Sequence, residues 1–217
     1  KFGLGADGVL LFDEGCFNHI QVNLFNADGS DGEFSGNGAR IIAFHLMNKH
    51  QLEKIEFTLG KTLVKAHFVG HQVEIRVDVE GVWQQLVMEE PIYEVRFSNP
   101  HLIVLDPPPS NVNLSEIADQ YVESSSFSQG ANVHWLWPKT PGDTYHMKTV
   151  ERGVGETLSC GSGAMSSLLI LNALGLSARK DIMFMMPGGN LKAWCQASDQ
   201  YYLRSDVHKV CQGVFWG

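Results

Sequence analysis

Apolar runs of strand length punctuate the chain, and two longer stretches keep helical spacing. Residues 9–12 and 20–25 read as short strands, linked by the turn-like Asp13-Glu14-Gly15-Cys16. A small, polar, Gly-rich stretch covers 26–38. Beyond it, Ile42, Ala43, Leu46 and Met47 recur at helical spacing and predict a helix over 39–49. Strand patterns return over 55–79, where Glu56-Phe57-Thr58-Leu59 and Val73-Glu74-Ile75-Arg76-Val77-Asp78-Val79 alternate as a half-buried sheet does. Strands are also predicted at 92–97 and 101–105, stopped by Pro107-Pro108-Pro109. A short helix at 114–121 and an apolar strand at 133–137 come next. Residues 164–174 predict a buried helix closed by Gly175 at the cap position. The tail from 182 to 216 reads as strands and turns, with Pro187-Gly188-Gly189 the clearest turn.

Length and charge narrow the function classes. The 217 residues suit one large domain or two small ones, and bury enough apolar surface to need no staples. The net charge of -8, from 16 Lys+Arg against 24 Asp+Glu, disfavours a nucleic-acid binder and an anionic membrane surface. No run approaches the roughly 18 apolar residues of a spanning helix, and no signal-peptide pattern is visible. Lys1 rather than Met opens the chain and runs straight into a strand-like pattern, so the natural start is expected to be missing. The cysteines Cys16, Cys160, Cys195 and Cys211 form no CxxC and have no zinc-type spacing to histidine. They are read as reduced thiols of a cytoplasmic protein, with Cys195 and Cys211 as small buried hydrophobes in apolar runs. His67 and His71 lie four apart but in or beside a strand pattern, so no metal site is expected.

A weak internal repeat carries the chemistry. Ser35-Gly36-Asn37-Gly38-Ala39-Arg40 matches Cys160-Gly161-Ser162-Gly163-Ala164-Met165, 125 positions later (160 − 35 = 125). Each copy has a nucleophile-type residue, then Gly-x-Gly-Ala, then a helix, between strand-rich stretches. The architecture expected is α+β: two pseudo-symmetric halves, each a β-sheet wrapped around a central helix. Residues 1–81 and 207–217 would form the N-terminal half and 82–206 the C-terminal half. A Gly-rich loop entering a helix leaves several N–H groups unpaired, and the helix dipole adds positive potential. Such a loop can hold a carboxylate, or lower the pKa of a thiol at Cys160. Alone, either loop could equally be a tight turn beside a buried side chain; two related loops favour function. If the halves face each other, Ser35 and Cys160 flank one cleft. The N–H groups of Gly36, Asn37, Gly161 and Ser162 would then hold a substrate carboxylate. That geometry suits moving a proton from one face of an α-carbon to the other, with the amides stabilising the enolate-like charge.

The motifs as a set resemble diaminopimelate epimerases. Phe25-Asn26-Ala27-Asp28-Gly29-Ser30, Gly36-Asn37-Gly38-Ala39-Arg40, Asn99-Pro100-His101 and Gln129-Gly130-Ala131-Asn132-Val133 follow the family's order. So do Glu151-Arg152-Gly153-Val154-Gly155-Glu156-Thr157, Cys160-Gly161-Ser162-Gly163-Ala164 and Pro187-Gly188-Gly189-Asn190-Leu191. The resemblance spans most of the chain. It implies a cofactor-independent isomerase interconverting LL- and meso-diaminopimelate in lysine and peptidoglycan precursor biosynthesis, with a cysteine pair as base and acid. It implies that Asn26, Asn99, Asn132, Glu151 and Arg152 bind the amino and carboxylate groups, and that His101 and Glu151 lie beside the two catalytic positions. It also implies a final strand near 213–216 returning to the first half, and a homodimer. The partner expected is a small amino-acid substrate, with no nucleic acid or membrane.

Three departures stand out. Ser35 occupies the place of one catalytic cysteine; a hydroxyl is a much weaker acid than a thiol, so one side of a two-base reaction should be nearly dead. Either turnover is blocked in an otherwise intact epimerase, which the retained binding motifs favour, or the protein has moved to another reaction. The alternatives are a one-base dehydratase or lyase using Cys160, and a catalytically silent amino-acid-binding protein. The second departure is Gly8, where the family usually has glutamine. The third is Asp206-Val207-His208-Lys209, which replaces a small-residue turn.

Overall fold

The computed structural model describes residues 5–13, 20–139, 143–177, 181–197 and 199–214. In chain order the elements begin β1 (Gly8–Phe12), β2 (Gln21–Asn26), β3 (Asp31–Gly32), α1 (Gly36–His50), β4 (Lys54–Leu59), β5 (Thr62–Val69) and β6 (Gln72–Asp78). There follow β7 (Val82–Gln85), β8 (Ile92–Arg96), β9 (Pro100–Val104), α2 (Leu114–Glu123), β10 (Asn132–Pro138), β11 (Thr144–Glu151) and β12 (Gly155–Thr157). The last are α3 (Gly161–Ala173), β13 (Asp181–Met186), β14 (Gly189–Ala197) and β15 (Gln200–Ser205).

One hydrogen-bonded path runs β1-β2-β4-β5-β6-β15-β14-β13-β11-β10-β9-β8-β7, with β3 on β2 and β12 on β11. It curls twice, so that α1 packs on β4, β5 and β6 while α3 packs on β8, β9, β10, β14 and β15. The protein is thus an α+β fold of two pseudo-symmetric halves, each sheet wrapped around its own helix. The seam between them is the antiparallel pair β15–β6, from Gln200↔Asp78 to Ser205↔Val73. The described part of the C-terminal tail, 206–214, forms no strand; the rest of the predicted final strand, 215–216, lies outside the described residues.

Side-chain parity sets the layers. α1 buries Ala39, Ile42, Ala43, Leu46 and Met47 against Val64, Ala66 and Ile75; α3 buries Ala164, Met165, Leu168 and Leu171 against Ile103, Phe184, Leu191 and Leu203. A large apolar side chain so buried contributes on the order of 1.5–3 kcal/mol. Along β9 and β10, Leu102, Val104, Val133 and Trp135 point the other way and meet Leu114, Ala118 and Tyr121 of α2. His101, Asn132 and His134 therefore share the face beneath α3.

Both central helices begin three residues before their predicted starts, because Ser35 and Cys160 act as N-caps rather than loop residues. Gly175 takes the left-handed conformation (φ 66) after α3, as its predicted role requires. Cys195 is half-buried, and Cys211 is exposed in the irregular tail, which corrects the reading of Cys211 as a core thiol. Among the described residues, no helix is long and apolar enough to cross a membrane.

Candidate active site

The two helix starts meet. A Cβ placed on Gly161 would lie 2.9 Å from Gly36 Cα, and one on Gly36 would lie 3.0 Å from Gly161 Cα. Only glycine permits this approach, and it puts Ser35 and Cys160 on the wall of one cleft of about 350 Å³. The caps are equivalent. Ser35 Oγ accepts from the N–H of Gly38 at 3.0 Å, and Cys160 Sγ accepts from the N–H of Gly163 at 3.4 Å. Both caps are extended, with φ -132 and -135. The capping side chains satisfy the third N–H of each helix. The earlier N–H groups, at Gly36 and Asn37 and at Gly161 and Ser162, have no partner inside a helix and line the cleft.

Asparagine amides lock the surrounding loops. Asn37 Nδ2 donates across the molecule to Ser159 O (3.0 Å), and Asn99 Nδ2 to Phe34 O (3.1 Å). Asn132 Oδ1 accepts from the Arg152 N–H (3.0 Å), and Asn26 Nδ2 donates to Ser30 Oγ (3.0 Å). These bonds tie each half's loop to the other half or to a neighbouring strand end, so the cleft wall is held on both sides. Of the predicted site residues, Asn26, Ser35, Gly36, Asn37, Asn99, Asn132, Glu151, Arg152, Cys160, Gly161 and Ser162 all line it.

His101 does not. It has no exposed surface, lies under α3 on β9, and its Nδ1 is 2.9 Å from His134 Nε2. His134 Nδ1 in turn meets Thr149 Oγ1 at 3.0 Å, and its ring occupies the space a side chain on Gly163 would need. Strand parity explains the placement: His101 shares the helix-facing side with Ile103, an interior position rather than the rim. Burial, with the nearby Arg152 charge, brings its pKa down to about 3, and burial holds His134 well below its ordinary value; both rings are neutral. The structure thus places His101 beneath α3 rather than on the cleft wall.

Cys160 also departs from expectation. The helix start favours a thiolate, but the residue is 3% exposed, and burial pushes its pKa up, reinforced by the Glu151 charge. Desolvation outweighs the dipole, and Cys160 rests as a thiol. Glu151 shares a hydrogen bond with it and accepts another from Thr157 Oγ1 at 2.6 Å. Burial raises the Glu151 pKa, and Asp7 adds to the rise. Two carboxylates, Asp7 and Glu33, and the hydroxyl of Thr157 line the cleft without having been singled out from the sequence. Thr157 ends the Glu151–Thr157 motif, and Asp7 directly precedes Gly8.

The family model for diaminopimelate epimerase matches residues 93–210. The chain belongs to the diaminopimelate epimerase family. A diaminopimelate epimerase from Caldanaerobacter subterraneus is 28% identical over 238 residues, which cover 98% of this chain and 86% of that protein. Among solved structures, a Clostridium difficile phenazine biosynthesis PhzC/PhzF protein superimposes with a TM-score of 0.72 at 12% identity, covering 97% of this chain and 83% of its own. A hydroxyproline epimerase from Agrobacterium vitis gives 0.68 at 12%, covering 91% and 71%. The fold is that of diaminopimelate epimerases and their structural neighbours, and the protein is an isomerase of the pyridoxal-phosphate-independent epimerase and racemase type.

Proposed function

We propose that the protein interconverts LL- and meso-diaminopimelate by proton transfer at an α-carbon, a step in lysine and peptidoglycan precursor biosynthesis. The observation that carries this reading is the contact of Gly36 with Gly161, which sets two equivalent caps, Ser35 and Cys160, on one cleft. The α-carboxylate sits on the amides of Gly36, Asn37, Gly161 and Ser162, with the Arg152 guanidinium available to a carboxylate through two parallel bonds. Asn99 Oδ1, a buried acceptor without a partner among the described residues, suits the substrate ammonium.

The thiol proton of Cys160 passes to Glu151, and the substrate ammonium favours the resulting thiolate. The sulfur takes the α-proton: the C–H bond breaks, an S–H bond forms, and the electron pair moves into the carboxylate as an enolate held by the amides. A proton returns from the opposite face, where Ser35 stands. Ser35 must release it from a hydroxyl with no adjacent base, so this half is slow and inversion lags behind exchange.

The test follows LL-diaminopimelate in heavy water by NMR and chiral chromatography. The protein should exchange the α-proton with little inversion, Ser35→Cys should raise inversion by about a hundredfold or more, and Cys160→Ser should abolish both. If neither the protein nor Ser35→Cys exchanges or inverts diaminopimelate, the assignment fails. Release of a keto acid from a β-hydroxy amino acid would replace it with a one-base lyase.

A further inference from the structure

A second cavity, about 440 Å³, lies beyond the Asn37 wall of the candidate active site and opens to solvent between the start of α1, the β13–β14 turn and the residues after β15. Arg40 forms part of its wall. This arginine is 4% exposed, and its Nε and Nη1 are buried without a hydrogen-bond partner among the described residues. Only Nη2 is engaged, donating to Asn37 Oδ1 at 2.6 Å. Burial alone lowers its pKa, to about 10, with no carboxylate offsetting the loss of water, and the guanidinium stays charged at neutral pH. The carboxylate on the same wall, Asp206, is 3.1 Å from His71. A buried cation with idle donors is costly to keep unless a counter-charge reaches it. Ser159, Asn190, Ser205 and His208 complete the polar wall.

We propose that this second cavity binds a small oxyanion, a carboxylate or a phosphate, through the guanidinium of Arg40. The idle Nε–H and Nη1–H lie on different edges of the guanidinium, and each offers its own charge-assisted bond to an anion oxygen. The stretch Asp206-Val207-His208, which departs from the family's small-residue turn, supplies one side of the cavity. The site shares the Asn37 wall with the catalytic cleft but does not depend on the reaction proposed above.

The experiment titrates the full chain with inorganic phosphate and, separately, with succinate, following the Arg40 Nε–H resonance by heteronuclear NMR. A saturable shift with one or both anions is expected, and the two arms show which source the site prefers. Arg40→Gln should remove the resonance and weaken binding by calorimetry at least about tenfold. Asn190→Asp, an exposed change that leaves α1 intact, should move the titration to higher anion concentration even if Arg40→Gln does not fold. Arg152→Ala should leave the Arg40 titration in place. The proposal is overturned if the Nε–H does not shift with either anion, if Asn190→Asp leaves the curve unmoved, or if Arg152→Ala abolishes it, which would put the anion in the catalytic cleft.

Discussion

Gly36 and Gly161 touch backbone to backbone, with 2.9 Å left for any Cβ on Gly161. Gly161→Ala must push the two helix starts apart. Overpacking of this kind costs about 1–3 kcal/mol, and urea unfolding should show it. The same shift separates Ser35 from Cys160, so inversion measured in the Ser35→Cys background should fall further than α-proton exchange. Unchanged stability together with unchanged inversion would show that the helices do not need this approach.

Asp7 and Thr157 act on Glu151 with opposite signs. Asp7→Asn removes a charge that raises the Glu151 pKa, and Thr157→Val removes a hydrogen bond that lowers it. With Glu151 taking the Cys160 proton, the acid limb of kcat/KM should move to lower pH in Asp7→Asn and to higher pH in Thr157→Val. The pH–rate profile of the Ser35→Cys background is the measurement. Shifts in the same direction would remove Glu151 from the role of proton acceptor.

His101 and His134 should dominate acid unfolding. Their native pKa values are depressed, to about 3 for His101 and well below the ordinary value for His134. The unfolded chain therefore takes up protons that the native one refuses. Stability is complete above the unfolded pKa of 6.5 and falls as the pH drops toward 3. The slope is about 1.4 kcal/mol per pH unit for each imidazole. Denaturation at pH 7, 5.5 and 4.5 should show this loss, and His134→Gln should flatten it. An equally steep limb in that variant would point to other groups.

Arg152 should act on substrate binding. Its aliphatic stem lies over Gly130, where a Cβ would come within 3.0 Å of Arg152 Cδ, and no carboxylate pairs with it among the described residues. Arg152→Ala should raise KM for diaminopimelate with a loss of about 2 kcal/mol, roughly thirtyfold in kcat/KM. Arg152→Lys should recover only part, because an ammonium lacks the planar fork. Full recovery by lysine would mean that charge alone is read there.

Much of the site could be read from the residues, because the two Gly-x-Gly-Ala loops and the asparagine motifs act through backbone geometry that local sequence dictates. What escaped the reading depends on tertiary layering. His101 belongs to an apolar run whose parity is visible, but the helix that covers that face is not. β11 alternates, with His146 and Lys148 outward, but its buried face mixes Tyr145 and Met147 with the polar Thr149, which weakens the apolar signal, and β7 is exposed at all four residues. The helices start at Gly36 and Gly161 rather than at the first apolar-periodic residue, because the Ser35 and Cys160 caps take up an N–H three residues on. The thiol of Cys160 resolves to its neutral form for a related reason: depth of burial, not neighbouring sequence, decides between dipole and desolvation.

The β15–β6 seam joins the halves through six consecutive residue pairs. A ligand cannot enter by parting them, since that would strip a whole ladder of main-chain bonds. Any opening of the cleft therefore has to resemble a bound book, its covers twisting about a spine that stays stitched.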